Sequence, residues 1–99
     1  MKIKVTQEHI DTAYCHRCYC PIALAIKEAC GVRRNDEKFV QIDTDGSVYF
    51  PAICRTVDLS EYAKEAELFI LQYDEWASTG QDYECPEPFE FELEYENGI

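Results

Sequence analysis

A chain of 99 residues, 46% of them hydrophobic, fits a single domain over 1–99 and leaves no room for two independent cores. The 13% aromatic content argues against disorder, and no run of apolar residues is long enough for a membrane-spanning helix. Twenty acidic side chains against nine basic ones give a net charge of −11, which argues against direct binding of DNA or RNA because phosphates are repelled.

In chain order, Met1, Ile3 and Val5 alternate with Lys2 and Lys4, the pattern of a half-buried strand. This opening has no apolar core of a secretory signal, so a cytoplasmic protein is expected. Thr6 offers a side-chain oxygen as an N-cap for a short helical turn over Gln7-Glu8-His9-Ile10. His9 reads as a surface or cap residue. Residues 14–20 form an irregular connection. Pro21 suits the first position of a helix that runs to about Cys30, with Gly31 as its left-handed stop. Ile22, Ala25, Ile26, Ala29 and Cys30 share a stripe, and the added Ala23 and Leu24 predict burial on most sides.

Phe39–Asp43 and Ser47–Phe50 read as short strands flanking a tight Asp45-Gly46 turn, and Pro51 ends the second. Asp58 and Glu61 have the spacing of a capping box for a long helix ending near Gly80. Its apolar positions, Leu59, Tyr62, Ala63, Ala66, Phe69, Ile70, Tyr73 and Trp76, repeat every three or four residues. A loop over 78–88 leads to Phe89-Glu-Phe-Glu-Leu-Glu-Tyr-Glu, whose alternation predicts a strand with one wet face. The expected fold is α+β: a small antiparallel sheet of about four strands packed by two helices on one face. The same order of elements occurs in ferredoxin-like folds.

Three segments carry a resemblance. Val5-Thr6-Gln7-Glu8-His9-Ile10, Cys20-Pro21-Ile22-Ala23-Leu24-Ala25 and Pro88-Phe89-Glu90-Phe91-Glu92-Leu93 are similar to a group of small uncharacterised phage and prophage proteins. The likeness covers the first 30 residues and the last strand best, and the middle of the chain only in pattern. It implies a small acidic phage protein acting in a bacterial host cytoplasm, and brings no catalytic residues with it. Anti-CRISPR and other anti-defence proteins are often of this size and charge, which is an analogy only.

Six cysteines stand at 15, 18, 20, 30, 54 and 85. In a reducing compartment they are not expected to form a disulfide framework. Cys15 and Cys18 have zinc-ligand spacing, with His16 or Cys20 as a further donor, but Cys30, Cys54 and Cys85 supply no second pair. They read mainly as structural thiols, Cys30 and Cys54 as small core residues, and neither metal nor cofactor is expected. Cys20 begins a helix, where the dipole lowers a thiol's pKa. A zinc- or thiol-dependent regulatory module on residues 15–20 is therefore the alternative reading. No nucleophile, phosphate loop or paired acid–base motif indicates an enzyme.

The charge is lopsided. Residues 1–55 sum to +1 and residues 56–99 to −12, with no Lys or Arg after Lys64. Glu90, Glu92, Glu94 and Glu96 share one face of the last strand, about 6.7 Å apart at twice the strand rise, a spacing comparable to that of phosphates along a backbone. Glu84, Glu87 and Asp82 precede them; Glu61, Glu65, Glu67, Asp74 and Glu75 add helix charge. Acidity of this kind also serves solubility or guards an edge strand. Four glutamates in register with no interspersed Lys exceed that need, and point to a non-enzymatic inhibitor that occupies a basic nucleic-acid-binding surface of a host defence protein. An accessory phage subunit whose acidity is incidental is a further alternative.

Overall fold

The computed structural model describes residues 2–14, 16–43, 46–51, 54–59, 64–78 and 86–93. Within them the chain is α+β, with three helices and two small antiparallel sheets.

Strand β1 (Lys2–Val5) turns Ile3 and Val5 inward and Lys2 and Lys4 to solvent. Thr6 then caps α1 (Gln7–Thr12). Its hydroxyl accepts from the His9 amide at 3.3 Å, and its own amide donates to His9 Nδ1 at 3.0 Å, so a histidine takes the place of the usual Glu or Gln in a capping box. His9 is a cap residue as the sequence suggests, yet it is wholly buried, with Nε2 2.9 Å from Glu28 Oε2. An imidazole that completes the cap is turned in under the first turn, toward Glu28.

Helix α2 (Pro21–Ala29) opens with Pro21 at its first turn. Gly31, at φ +70°, reverses the chain, and the Val32 amide donates to Lys27 O at 2.8 Å. Every residue from Pro21 to Lys27 is buried, which the apolar run predicts for all but Lys27; Ala29, placed on the stripe by spacing, is exposed. Lys27 is solvated by protein. Its ammonium donates to Cys18 O at 2.6 Å and Arg34 O at 2.9 Å and lies 4.8 Å from the Tyr19 ring centre. Burial lowers its pKa. The residue thereby ties the 16–20 turn to the 33–38 loop, since losing either carbonyl leaves a buried ammonium short of partners.

Strands β2 (Gln41–Ile42) and β3 (Ser47–Phe50) form the expected hairpin, and Gly46 takes φ +90° at its turn while donating to Asp43 O at 3.1 Å. A further strand, β4 (Arg55–Asp58), pairs with β3 in the register Val48↔Val57 and Phe50↔Arg55. Arg55–Asp58 is a strand that the sequence reading did not foresee, because Thr56 and Val57 alternate outward and inward and suit a pleated surface; the start of the long helix lies outside the described residues. Glu61 lies outside the described residues. The β3–β4 corner is made by Cys54 at φ +51°, whose amide donates to Pro51 O at 3.2 Å; Cys54 is exposed, contrary to its reading as a core residue.

Helix α3 (Lys64–Ser78) buries Ala66, Phe69, Ile70 and Tyr73, the predicted stripe, with Trp76 half-buried. Tyr62 and Ala63 lie outside the described residues, and Leu59 is buried just after β4. Strand β5 (Phe89–Glu92) pairs antiparallel with β1, and Phe91 and Leu93 face the core. The sheets are thus β1–β5 and β2–β3–β4. A ferredoxin-like order requires β1 beside β3 in one sheet, but β2 and β4 occupy both edges of β3. The strand Arg55–Asp58, for which the sequence carried no expectation, is what fills that edge.

Candidate functional site

The acidic residues predicted as one surface divide among several. On β5 the alternation holds, with Glu90 and Glu92 exposed. Their neighbours were not anticipated. Lys4 stands opposite Glu90 and Lys2 opposite Glu92, and Lys2 Nζ is 3.4 Å from Glu90 Oε1. The antiparallel register brings two lysines from the start of the chain onto the same wet face as two glutamates from its end. Such exposed pairs are each worth at most about 1 kcal/mol, but they cancel the local charge. Glu90 and Glu92 thus keep the wet face expected of them, with Lys4 and Lys2 opposite on the neighbouring strand. Glu94 and Glu96 lie outside the described residues, as do Asp82 and Glu84.

Helix α3 places its acids on two flanks. Glu67 is half-buried, with its Cγ 3.9 Å from where a Cβ on Gly46 would stand, so its stem covers the hairpin turn. Asp74, seven residues further on, is half-buried and lines a cavity together with Cys20 and Ile42. Glu65 and Glu75 are exposed on the side away from the core, together with Leu68 and Leu71. These leucines are 59% and 51% exposed, unusual for large apolar side chains one turn apart.

Beside them runs a groove of about 380 Å³ between α3 and the segment leading into β5, with Glu65, Leu68, Gln72, Glu87 and Phe89 among its walls. Its floor is fixed by aromatic packing: Phe69 meets Phe89 at 4.9 Å, and Phe89 stacks on Phe91 at 5.6 Å. Among the described residues no Lys or Arg forms an ion pair with Glu65, Glu67 or Glu87. Sequence reasoning found Glu65 and Glu87 but missed Leu68 and Leu71. Their signal was present: both fall off the apolar stripe of α3, where a polar residue is expected.

The 16–20 turn is held by its own hydrogen bonds, from Tyr19 N and Cys20 N to His16 O at 3.0 and 2.9 Å, and from Cys18 N to His16 Nδ1 at 3.1 Å. Tyr14 and Tyr19 stack at 5.1 Å. The Cys18 thiol donates to Glu37 O at 3.4 Å, and burial raises its pKa. Cys20 caps α2, as the sequence indicates, but burial outweighs the Ala23 and Ile22 amides and pushes its thiol up to about 12. This reverses the expected activation by the helix dipole: desolvation of a thiolate costs more than two backbone donors return. Cys18, Cys20, Cys30 and Cys54 form no disulfide, and Cys15 and Cys85 lie outside the described residues. Among the described residues no three His, Cys, Asp or Glu side chains converge as metal ligands.

A second cavity, of about 400 Å³, opens between this turn, β2 and α3, with Arg17, Cys20, Ile42, Phe69, Tyr73 and Asp74 in its walls. Arg17 donates to Gln41 Oε1 at 3.3 Å at its edge.

No protein-family profile, no curated protein and no solved structure matches the chain. No helix among the described residues is long and apolar enough to cross a membrane.

Proposed function

We propose that this chain is a non-enzymatic acidic binding protein whose partner is a protein with a Lys/Arg-rich, nucleic-acid-binding surface. The observation that carries the reading is the pair Glu65 and Glu87, which flank one groove with no base paired to either among the described residues. Unbalanced charge at one place repels itself and is relieved by a basic surface, which it also attracts over a distance. The α3 side of the molecule takes the leading role; the β5 face, where lysines oppose Glu90 and Glu92, takes a lesser one. That the partner is a defence effector in a bacterial host cytoplasm, as for anti-CRISPR proteins, follows from the resemblance to phage proteins and is part of the proposal.

The test is capture from a bacterial lysate with the immobilised chain at low and high salt, followed by added nucleic acid. The expected result is retention of nucleic-acid-binding proteins at low salt, their release at high salt, and their displacement by DNA or RNA. Retention indifferent to salt and to nucleic acid, or no retention, would overturn the reading.

A further inference from the structure

We infer that the groove between α3 and the Glu87–Phe89 segment receives a bulky apolar side chain from a basic partner, with Lys or Arg on either side of it reaching Glu65 and Glu87. This rests on the proposed function and names what the partner must present there.

The apolar content comes from three places. Leu68 and Leu71 are more than half exposed on consecutive turns, and the groove next to Leu68 is walled on its inner side by Phe69 and Phe89. Phe69 is itself held in the core, and it stacks on Tyr73 at 6.3 Å, so this wall is rigid. An open groove that sets apolar side chains, Leu68 and Phe89 above all, among carboxylates and an amide can take an apolar anchor flanked by polar groups, as protein interfaces do.

The charge then selects among occupants. An apolar neutral partner would strip water from Glu65 and Glu87 without supplying counter-charge, which is costly. An anionic lipid surface is repelled by a chain of net charge −11. A second copy meeting the same patch about a two-fold axis sets each of these carboxylates against a surface of like charge. A segment with an apolar anchor between cations satisfies both groups at once.

The probes are two synthetic peptides of equal length and equal positive charge. One is an amphipathic lysine–leucine peptide, and in the other serine replaces leucine. Binding is followed by fluorescence anisotropy at low salt. Wild type is expected to bind the leucine peptide about tenfold more tightly, the size that burying half a leucine side chain gives. Leu68→Ser, on an exposed position and checked by thermal melting, is expected to abolish that preference and leave affinity for the serine peptide unchanged. Equal affinity of wild type for the two peptides would overturn the groove inference and leave the charge reading standing. No binding of either peptide would overturn both. A wild-type dimer in sedimentation that Leu68→Ser converts to monomer would also overturn it, by assigning the face to a second copy.

Discussion

The β1–β5 ladder and the outer side of α3 carry the same kind of residue in opposite circumstances. On β5, Glu90 and Glu92 stand opposite Lys4 and Lys2, so acids and bases alternate across one sheet face. On α3, Glu65 sits beside exposed Leu68, across a groove from Glu87, and no base pairs with either carboxylate among the described residues. The lesson concerns charge read along a chain. A segment sum of −12 over residues 56–99 counts every glutamate alike, but pairing in space decides which remain uncompensated. Antiparallel pairing of the first and last strands returns basic residues to the acidic end, whereas on the outer side of α3 no ion pair reaches Glu65 among the described residues, although Lys64 precedes it in the helix.

The largest expected effect breaks the comparison by removing what both regions share. Phe91 is buried, stacks on Phe89, and through it supports Phe69 of α3. Phe91→Ala is expected to cost about 3–5 kcal/mol, enough to unfold much of a small domain. Denaturant titration measures it. A loss under about 1 kcal/mol would mean that β5 and α3 do not rest on one core.

A smaller effect sharpens the comparison. Replacing Lys2 and Lys4 with glutamine leaves Glu90 and Glu92 opposed by neutral side chains. The expected cost in folding is roughly 0.2–1 kcal/mol per pair at low salt, shrinking as salt is added. The variant is also expected to bind the basic lysine–leucine peptide more strongly than wild type, because it turns a balanced face into an acidic one. Unchanged binding would mean that the β5 face takes no part in attraction even when uncovered.

The smallest effect lies in the basic half and serves as a reference for a compensated acid. Glu8 is paired with Arg34, and the Arg34 and Thr12 hydrogen bonds hold its carboxyl at about 2, below its ordinary 4.5. A carboxylate held down in the folded state stabilises it fully above about pH 4.5, and the contribution is lost as pH falls through about 2. Glu8→Gln is therefore expected to flatten stability against pH in that window alone, as read by melting temperature. Glu65, which has no basic partner among the described residues, is the matching control.

Much of the fold was legible because the relevant signals are local. Thr6 and Pro21 mark helix starts, Gly31 a helix stop, and Gly46 a hairpin turn; each fixes backbone conformation within a few residues. The apolar stripe of α3 and the alternation of β5 also hold through Phe69, Tyr73 and Phe91. Strand β4 was missed because nothing local announces that Val57 will find Val48 across a ladder. The burial of Lys27 and His9 was invisible for the same reason: their partners, Arg34 O and Glu28, come from other elements. Of the candidate site, the identity of Glu65 and Glu87 was readable, but the placing of Lys4 and Lys2 opposite Glu90 and Glu92 was not. That placing depends on register, which sequence spacing does not contain.

The proposed attraction to a basic partner rests on Glu65 and Glu87 beside α3 and not on the acidic strand. The most direct measurement is the salt dependence of association with the lysine–leucine peptide for two double variants, Glu65→Gln with Glu87→Gln, and Glu90→Gln with Glu92→Gln. Each removes two carboxylates and keeps side-chain shape. The first pair is expected to slow association and flatten its dependence on salt, while the second stays close to wild type. A second pair that slows and flattens association as much as the first, or more, would contradict the account and return the site to the strand.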